Sequence, residues 1–243
     1  MSTERRFAAP GSELVPGAEL SLDAEAARHA RVLRLGQGDP VRVFDGRGAE
    51  ADAEVVALEA AALVVRVVAL RAASAASARV TLVQCLPKGA KLEDIVRAAT
   101  EAGAHTIALA ISTHAVSRPD EARGERRATR LARIAEEAAR QSERAHVPEV
   151  TPPAPLLEVA RRAPPGALRL SLSPRATRRW DAALPEHATE AWLVVGPEGG
   201  LSSEEERALE ALGYTSVRID VGVLRVETAA PVAVAMLVDR LAR

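Results

Sequence analysis

The segment Trp192-Leu193-Val194-Val195-Gly196-Pro197-Glu198-Gly199-Gly200-Leu201-Ser202-Ser203 decides the fold of this chain, and Glu204 to Glu206 follow it directly. Four apolar residues predict a buried strand, and the three glycines and Pro197 predict a tight, stiffened turn. Ser202 or Ser203 then caps a helix whose acidic first turn suits the helix dipole. A strand that passes through a glycine turn into a helix belongs to an α/β sheet. In such sheets ligands gather beyond the carboxyl ends of the strands, so this turn is the first candidate site.

The same alternation extends in both directions. Val80–Leu86, His105–Ile111, Leu168–Leu172 and Ser216–Ile219 read as further strands. Lys91–Ala102 (closed by Gly103), Glu125–Arg144, Ser203–Leu212 and Thr228–Leu241 read as helices. Together they predict an α/β domain with a mainly parallel sheet. Pro152, Pro153, Pro155, Pro164 and Pro165 are expected in loops between these elements. Ahead of Leu70 the pattern is different. Asp23 caps a short helix through Arg34, and strands are expected at Val41–Phe44, Ala53–Leu58 and Leu63–Leu70, with a turn at Asp45-Gly46. That pattern predicts a small β-barrel-like module over residues 1–70, a linker over 71–78 and the α/β domain over 79–243.

Composition narrows the classes. The 243 residues are 48% hydrophobic and 27% charged with net charge -1, an ordinary globular balance that argues against a strongly basic wrapping protein but permits a local patch on a nucleic-acid enzyme. No apolar run approaches the roughly 18 residues of a membrane helix, and the polar start lacks a signal peptide's apolar centre. The single Cys85 has no partner for a disulfide, and the five histidines (29, 105, 114, 146, 187) are scattered, so no metal is expected and the chain reads as cytoplasmic. Phosphate-loop and GxGxxG fingerprints are both missing.

The cations are 30 Arg and 2 Lys, and both lysines fall in Pro87-Lys88-Gly89-Ala90-Lys91-Leu92-Glu93. GC-rich coding is the simplest reading of the bias, and it makes a surviving lysine the residue to examine. Beside a helix start, the two lysines read either as solvated surface or as contacts to an anion. Val223-Leu224-Arg225-Val226-Glu227-Thr228-Ala229-Ala230 lies between a strand and the final helix. It reads either as a cap at Thr228 with an ion pair, or as a site. Gln141 to Pro148 closes the long helix, where Arg144 and His146 suit the dipole in any case.

In this order the blocks resemble one family, the small-subunit ribosomal RNA uridine N3-methyltransferases of the SPOUT, or α/β-knot, class. The blocks are Arg5-Arg6-Phe7, His29 to Arg34, Phe44-Asp45-Gly46, Lys88 to Glu93, Thr100 to Gly103, Gln141 with Arg144, Val147 and Pro148, Gly196 to Leu201, and Leu224 to Ala229. The resemblance implies an N-terminal PUA-like β-barrel followed by a trefoil-knotted, mainly parallel SPOUT domain. It implies S-adenosylmethionine held by Leu172, Ser173, Val195, Gly196, Glu198, Gly199, Gly200, Ile219, Leu224, Thr228 and Ala229. Arg225 and Glu227 would be catalytic, with Arg225 stabilising the oxyanion and Glu227 orienting it or accepting a proton. Arg5, Arg6, Lys88, Lys91, Arg118, Gln141 and Arg144 would bind RNA, joined by the Arg175, Arg178, Arg179 cluster. The implied partners are ribosomal RNA or the assembled small subunit and a second copy of the chain in a homodimer, with neither metal nor membrane. Alternatives are a SPOUT methyltransferase for another RNA position, or a non-catalytic RNA-binding or ribosome-assembly protein with a degenerate pocket. The chain departs from the family pattern at Thr113-His114-Ala115, at Arg140, and at Asp220-Val221-Gly222, where the family usually has Gly-Pro-Arg.

Overall fold

The computed structural model describes residues 5–71, 79–115, 120–184 and 188–242. The expected linker therefore lies outside the described residues, apart from Arg71. The chain forms two compact units, Met1–Ala76 with Glu136–Val147, and Ser77–Ala135 with Pro148–Arg243. No helix among the described residues is long and apolar enough to cross a membrane.

In the first unit, β1 (Arg6–Ala8), β2 (Glu19–Leu22), β3 (Pro40–Phe44), β4 (Glu50–Leu58) and β5 (Leu63–Leu70) form one sheet in the order β1-β3-β4-β5-β2. Helix α1 (Ala24–Val32) starts as expected, with Asp23 Oδ1 accepting from the Ala26 amide at 2.9 Å. Its Ala27 and Ala30 are buried with Phe7, Val41, Val43, Leu63 and Val65. β1 and β2 were not expected. Three and four residues at the sheet edges are too short for an alternating pattern to register. Residues 136–147 complete this unit, because the Val147 amide donates to Gly46 O (2.9 Å) and the Gly48 amide to Ala145 O (3.1 Å).

The second unit holds β6 (Arg79–Cys85), α2 (Lys91–Ala102), β7 (Thr106–Ile111), α3 (Glu121–Gln141, except its last turns), β8 (Glu149–Pro155), α4 (Leu156–Ala160), β9 (Leu168–Leu172), β10 (Glu190–Val195), α5 (Ser203–Ala211), β11 (Thr215–Val217) and α6 (Val226–Leu241). Its six strands are all parallel, in the order β11-β9-β10-β6-β7-β8. Side chains alternate between two buried faces. Val83, Cys85, Ala108, Trp192 and Val194 pack with Leu156 and Val159 of α4 and Leu209 of α5. Helices α2 and α6 pack on each other, and α6 on β6 and β10. Burial also pushes the Cys85 thiol up, so it is an inert core group.

Two expectations are corrected here. Pro152, Pro153 and Pro155 lie in β8, not in a loop. β8 is the outermost strand, and an edge strand tolerates missing amide donors. Helix α6 is capped at Arg225, without a side-chain bond, so Thr228 is in its first turn and caps nothing.

Candidate active site

The site begins with strand order. β9 lies between β11 and β10, and the register pairs Leu172 with both Val195 and Val217, so the carboxyl ends of these three strands are level. β6 flanks β10 on its other side, with Gln84 opposite Val195. The segments that begin at Ser173, Gly196, Arg218 and Leu86 therefore leave the sheet together. Val195 is buried at the end of β10, while Leu172, Ser173, Ile219 and Leu224 are half-buried.

The loop after β10 is fixed at both ends. The Gly200 amide donates to Pro197 O at 2.8 Å, and Gly200 has φ +73°, a backbone region that favours glycine. Ser202 and Glu205 cap α5 reciprocally, with the Glu205 amide on Ser202 Oγ (3.2 Å) and the Ser202 amide on Glu205 Oε2 (2.9 Å). Glu205 is buried, and its Oε1 also accepts from the Thr113 amide at 2.8 Å. This fixes the chain after β7 against the glycine loop. His114 Nδ1 lies 3.2 Å from Gly200 O, so the sequence departure at 113–115 sits on the loop itself.

Two lysines and two glutamates join the glycine loop to the start of α6. Glu198 Oε1 lies 2.9 Å from Lys91 Nζ, and Glu198 Oε2 accepts from the Lys88 amide at 3.1 Å. The same Lys91 Nζ lies 3.4 Å from Glu227 Oε2, an ion pair that lacks hydrogen-bond alignment. Lys91 is the first residue of α2, where a cation opposes the helix dipole. Its two carboxylate partners offset that, and they raise its pKa through the Glu198 bond above all. Burial pushes Glu198 up, but Lys91 and the amides of Glu198 and Lys88 outweigh it and hold the carboxyl below its ordinary value. Glu227 is also held down, first by its own backbone amide, then by Lys91 and the nearby Arg225. Both carboxyls are therefore anionic at neutral pH.

Arg225 is exposed at the cap of α6, and its carbonyl accepts from the Thr228 (2.9 Å) and Ala229 (2.8 Å) amides. Asp220 ties down the segment that departs from the family pattern. Its carboxylate meets Arg179 Nη1 at 2.6 Å and Arg218 Nε at 2.8 Å, and Arg218 also donates to Ala176 O and Thr177 O. The loops after β9 and β11 are thus linked through Asp220, and Arg179 is engaged by acids.

The expected RNA residues separate. Lys88 is exposed beside the site, whereas the Lys91 ammonium is occupied by carboxylates. Arg5, Gln141 and Arg144 belong to the first unit, where burial lowers the pKa of the Arg144 guanidinium. Arg118 lies outside the described residues. Arg6 must be corrected: it is 2% exposed, with Nε on Glu50 Oε1 (2.8 Å), Nη1 donating to Ala139 O (3.2 Å) and the guanidinium 4.0 Å from the Phe44 ring centroid. It is a core residue and cannot reach a ligand. Glu205 and His114 join the site without being among the residues expected there. The capping-box spacing Ser202-x-x-Glu205 is the signal for the first, and the departure from the family pattern at Thr113-His114-Ala115 marks the second.

Among the described residues no cluster of His, Cys, Asp or Glu suits a metal ion. Residues 74–238 match the family model of an RNA methyltransferase domain, and residues 22–68 that of an RNA methyltransferase PUA domain. A ribosomal RNA small subunit methyltransferase E from Mycobacterium bovis is 34% identical over 222 residues, 89% of this chain and 85% of the relative. The crystal structure of a ribosomal RNA small subunit methyltransferase E from Neisseria gonorrhoeae, bound to S-adenosyl methionine, superposes with a TM-score of 0.87 at 26% identity, covering 96% of each chain. A Legionella pneumophila methyltransferase in complex with the same cofactor gives 0.84 at 29% identity, again over 96% of each chain.

Proposed function

The chain belongs to the RNA methyltransferase family that carries a PUA domain, and on that premise we propose that it methylates N3 of a uridine in small-subunit ribosomal RNA with S-adenosylmethionine. The observation that carries this reading is the convergence of the glycine loop, Lys91 and Glu227 at the level carboxyl ends of β9, β10 and β11.

The residues present fit the cofactor. Half-buried Leu172, Ile219 and Leu224 offer apolar contact, and a Cβ placed on Gly200 or Gly222 would touch nothing within 4 Å, so backbone is open to a ligand there. When bound, S-adenosylmethionine supplies a sulfonium-activated methyl group. Leu172, Ser173, Val195, Gly196, Glu198, Gly199, Gly200, Ile219, Leu224, Thr228 and Ala229 are the residues proposed to hold it.

Uridine N3 becomes a good nucleophile as its proton passes to solvent water, and the negative charge left on the base then spreads onto the flanking carbonyl oxygens. Stabilisation of that charge is assigned to the Arg225 guanidinium, which is exposed at the start of α6. Glu227 is held by Lys91 and lies close enough to feel the charge of Arg225, and its proposed role is to orient that guanidinium. A carboxylate with a lowered pKa is poorly matched to taking a proton near pH 7, which favours the orienting role over that of general base. Bringing the two reactants together supplies the rest.

Residues 1–70 are proposed as the RNA-gripping PUA-like module and 79–243 as the knotted catalytic domain, acting in the cytoplasm. A homodimer is part of the same reading. Val221 and Val223 are 63% and 83% exposed beside the site, an apolar pair suited to a second copy. The proposal is tested by incubating the chain with methyl-labelled S-adenosylmethionine and either naked ribosomal RNA or assembled small subunits, then mapping the product by mass spectrometry. One N3-methyluridine, lost in Arg225→Ala, is expected. Methylation at another atom, or no binding of the cofactor by calorimetry, overturns it.

A further inference from the structure

A cleft of about 520 Å³ opens between the segment after β6 and the first half of α3. Leu92 and Leu131 line it with apolar surface, and Lys88, Arg126, Arg127 and Arg130 supply four cations against the single carboxylate of Glu93. Arg130 takes that carboxylate at 2.7 Å. No carboxylate among the described residues pairs with Lys88, Arg126 or Arg127. Three uncompensated cations therefore face one groove in a chain of net charge -1. The groove also adjoins the site just described, because Lys88 lines it while its backbone amide donates to Glu198.

We propose that this cleft is an RNA-backbone groove, in which Lys88, Arg126 and Arg127 hold phosphodiesters of the strand that carries the target base. The proposal rests on the reading of the chain as an RNA methyltransferase. Cations above an apolar floor suit a sugar–phosphate chain, whose phosphates take the charge while sugars and base edges lie on Leu92 and Leu131. Arg126 and Arg130 are one helical turn apart on α3, and Arg127 is half-buried beside them. From sequence, this part of α3 reads only as part of a long, charged helix. Its arginines gain a role once the fold sets Pro87 to Glu93 opposite them. Arg130 is already committed to Glu93 and anchors the wall.

The test compares wild type with R126Q/R127Q, and with R161Q/R162Q as a control that makes the same charge change on two exposed arginines just past α4. RNA binding is measured by anisotropy across a salt series, methylation by steady-state kinetics, and cofactor affinity by calorimetry. The double variant is expected to bind RNA about tenfold more weakly at moderate salt, with KM raised to match. Its log–log salt slope should be shallower by about 1.4, since each single-strand phosphate that is no longer neutralised accounts for roughly 0.7. Its affinity for S-adenosylmethionine should equal that of wild type, and the control should match wild type throughout. An unaltered KM and salt slope in R126Q/R127Q, beside a wild type that methylates RNA, refutes the groove alone. An equal effect in the control also refutes it, since net charge then explains the loss. A wild type that neither binds the cofactor nor methylates RNA refutes the underlying reading and the groove with it.

Discussion

Arg6→Ala separates a core arginine from an RNA contact. The side chain gives one ion-paired hydrogen bond to Glu50 (2.8 Å), a second bond to Ala139 O (3.2 Å) and a face-on contact with Phe44 at 4.0 Å. A hydrogen bond involving a charged group contributes about 1.5–3 kcal/mol, and a desolvated cation–π contact about 2. Two features reduce the sum. Nη2 is buried without a partner among the described residues, so part of its desolvation cost is already present. Glu50 also keeps Arg71 at 3.9 Å, so its charge is not stranded. A net loss of about 3 kcal/mol follows, roughly a hundredfold in the opening equilibrium of the first unit. Both tryptophans, Trp180 and Trp192, lie in the second unit, so their fluorescence is a poor probe of this change. Hydrogen exchange of the β3 and β4 amides reads it directly. The salt slope of RNA binding should stay at the wild-type value. Protection within a few-fold of wild type, together with a slope shallower by about 0.7, would refute the assignment of Arg6 to the core.

Three further outcomes follow from the site. Lys91→Met removes the cation shared by Glu198 and Glu227 and should lower kcat at least tenfold, with Lys91→Arg recovering part of it; single-turnover kinetics would show this, and full activity in Lys91→Met would end its positioning role. Because the folded pKa values of Glu198 and Glu227 lie below the ordinary value of about 4.3, the contribution of the cluster is complete above that value and disappears only as pH falls through the lowered pKa. A pH–rate profile should therefore show no acid limb from these groups between about pH 5 and 8; one centred near pH 6 would contradict the orienting role of Glu227. Gly200→Ala puts a Cβ at φ +73° where the protein leaves space, so the free chain bears backbone strain of about 1–2 kcal/mol, and in the complex the Cβ meets the cofactor proposed to lie against this backbone. It should appear in calorimetry as a roughly tenfold weaker S-adenosylmethionine affinity, and an unchanged affinity would show that the loop conformation is not needed for binding.

Sequence by itself determined the elements whose signals are local. Gly103 ends α2 in the left-handed conformation, Ser202 caps α5, and Leu63–Leu70 and Leu168–Leu172 form strands within their expected bounds. Periodicity, capping and glycine backbone freedom act over a few residues, so they can be read without the fold. The ordered blocks also carried the family. Tertiary structure decided what depends on neighbours distant in the chain. Proline-rich Glu149–Pro155 is a strand because it lies at the sheet edge, and residues 136–147 complete the first unit through bonds to Gly46 and Gly48. The sharpest case is the cations, since composition treats every Arg and Lys alike. Folding placed Arg6 over Phe44, set Lys91 between two glutamates, and left Arg126 and Arg127 facing a groove. Charge interacts through space with whatever the fold brings near, and no local pattern encodes that distance.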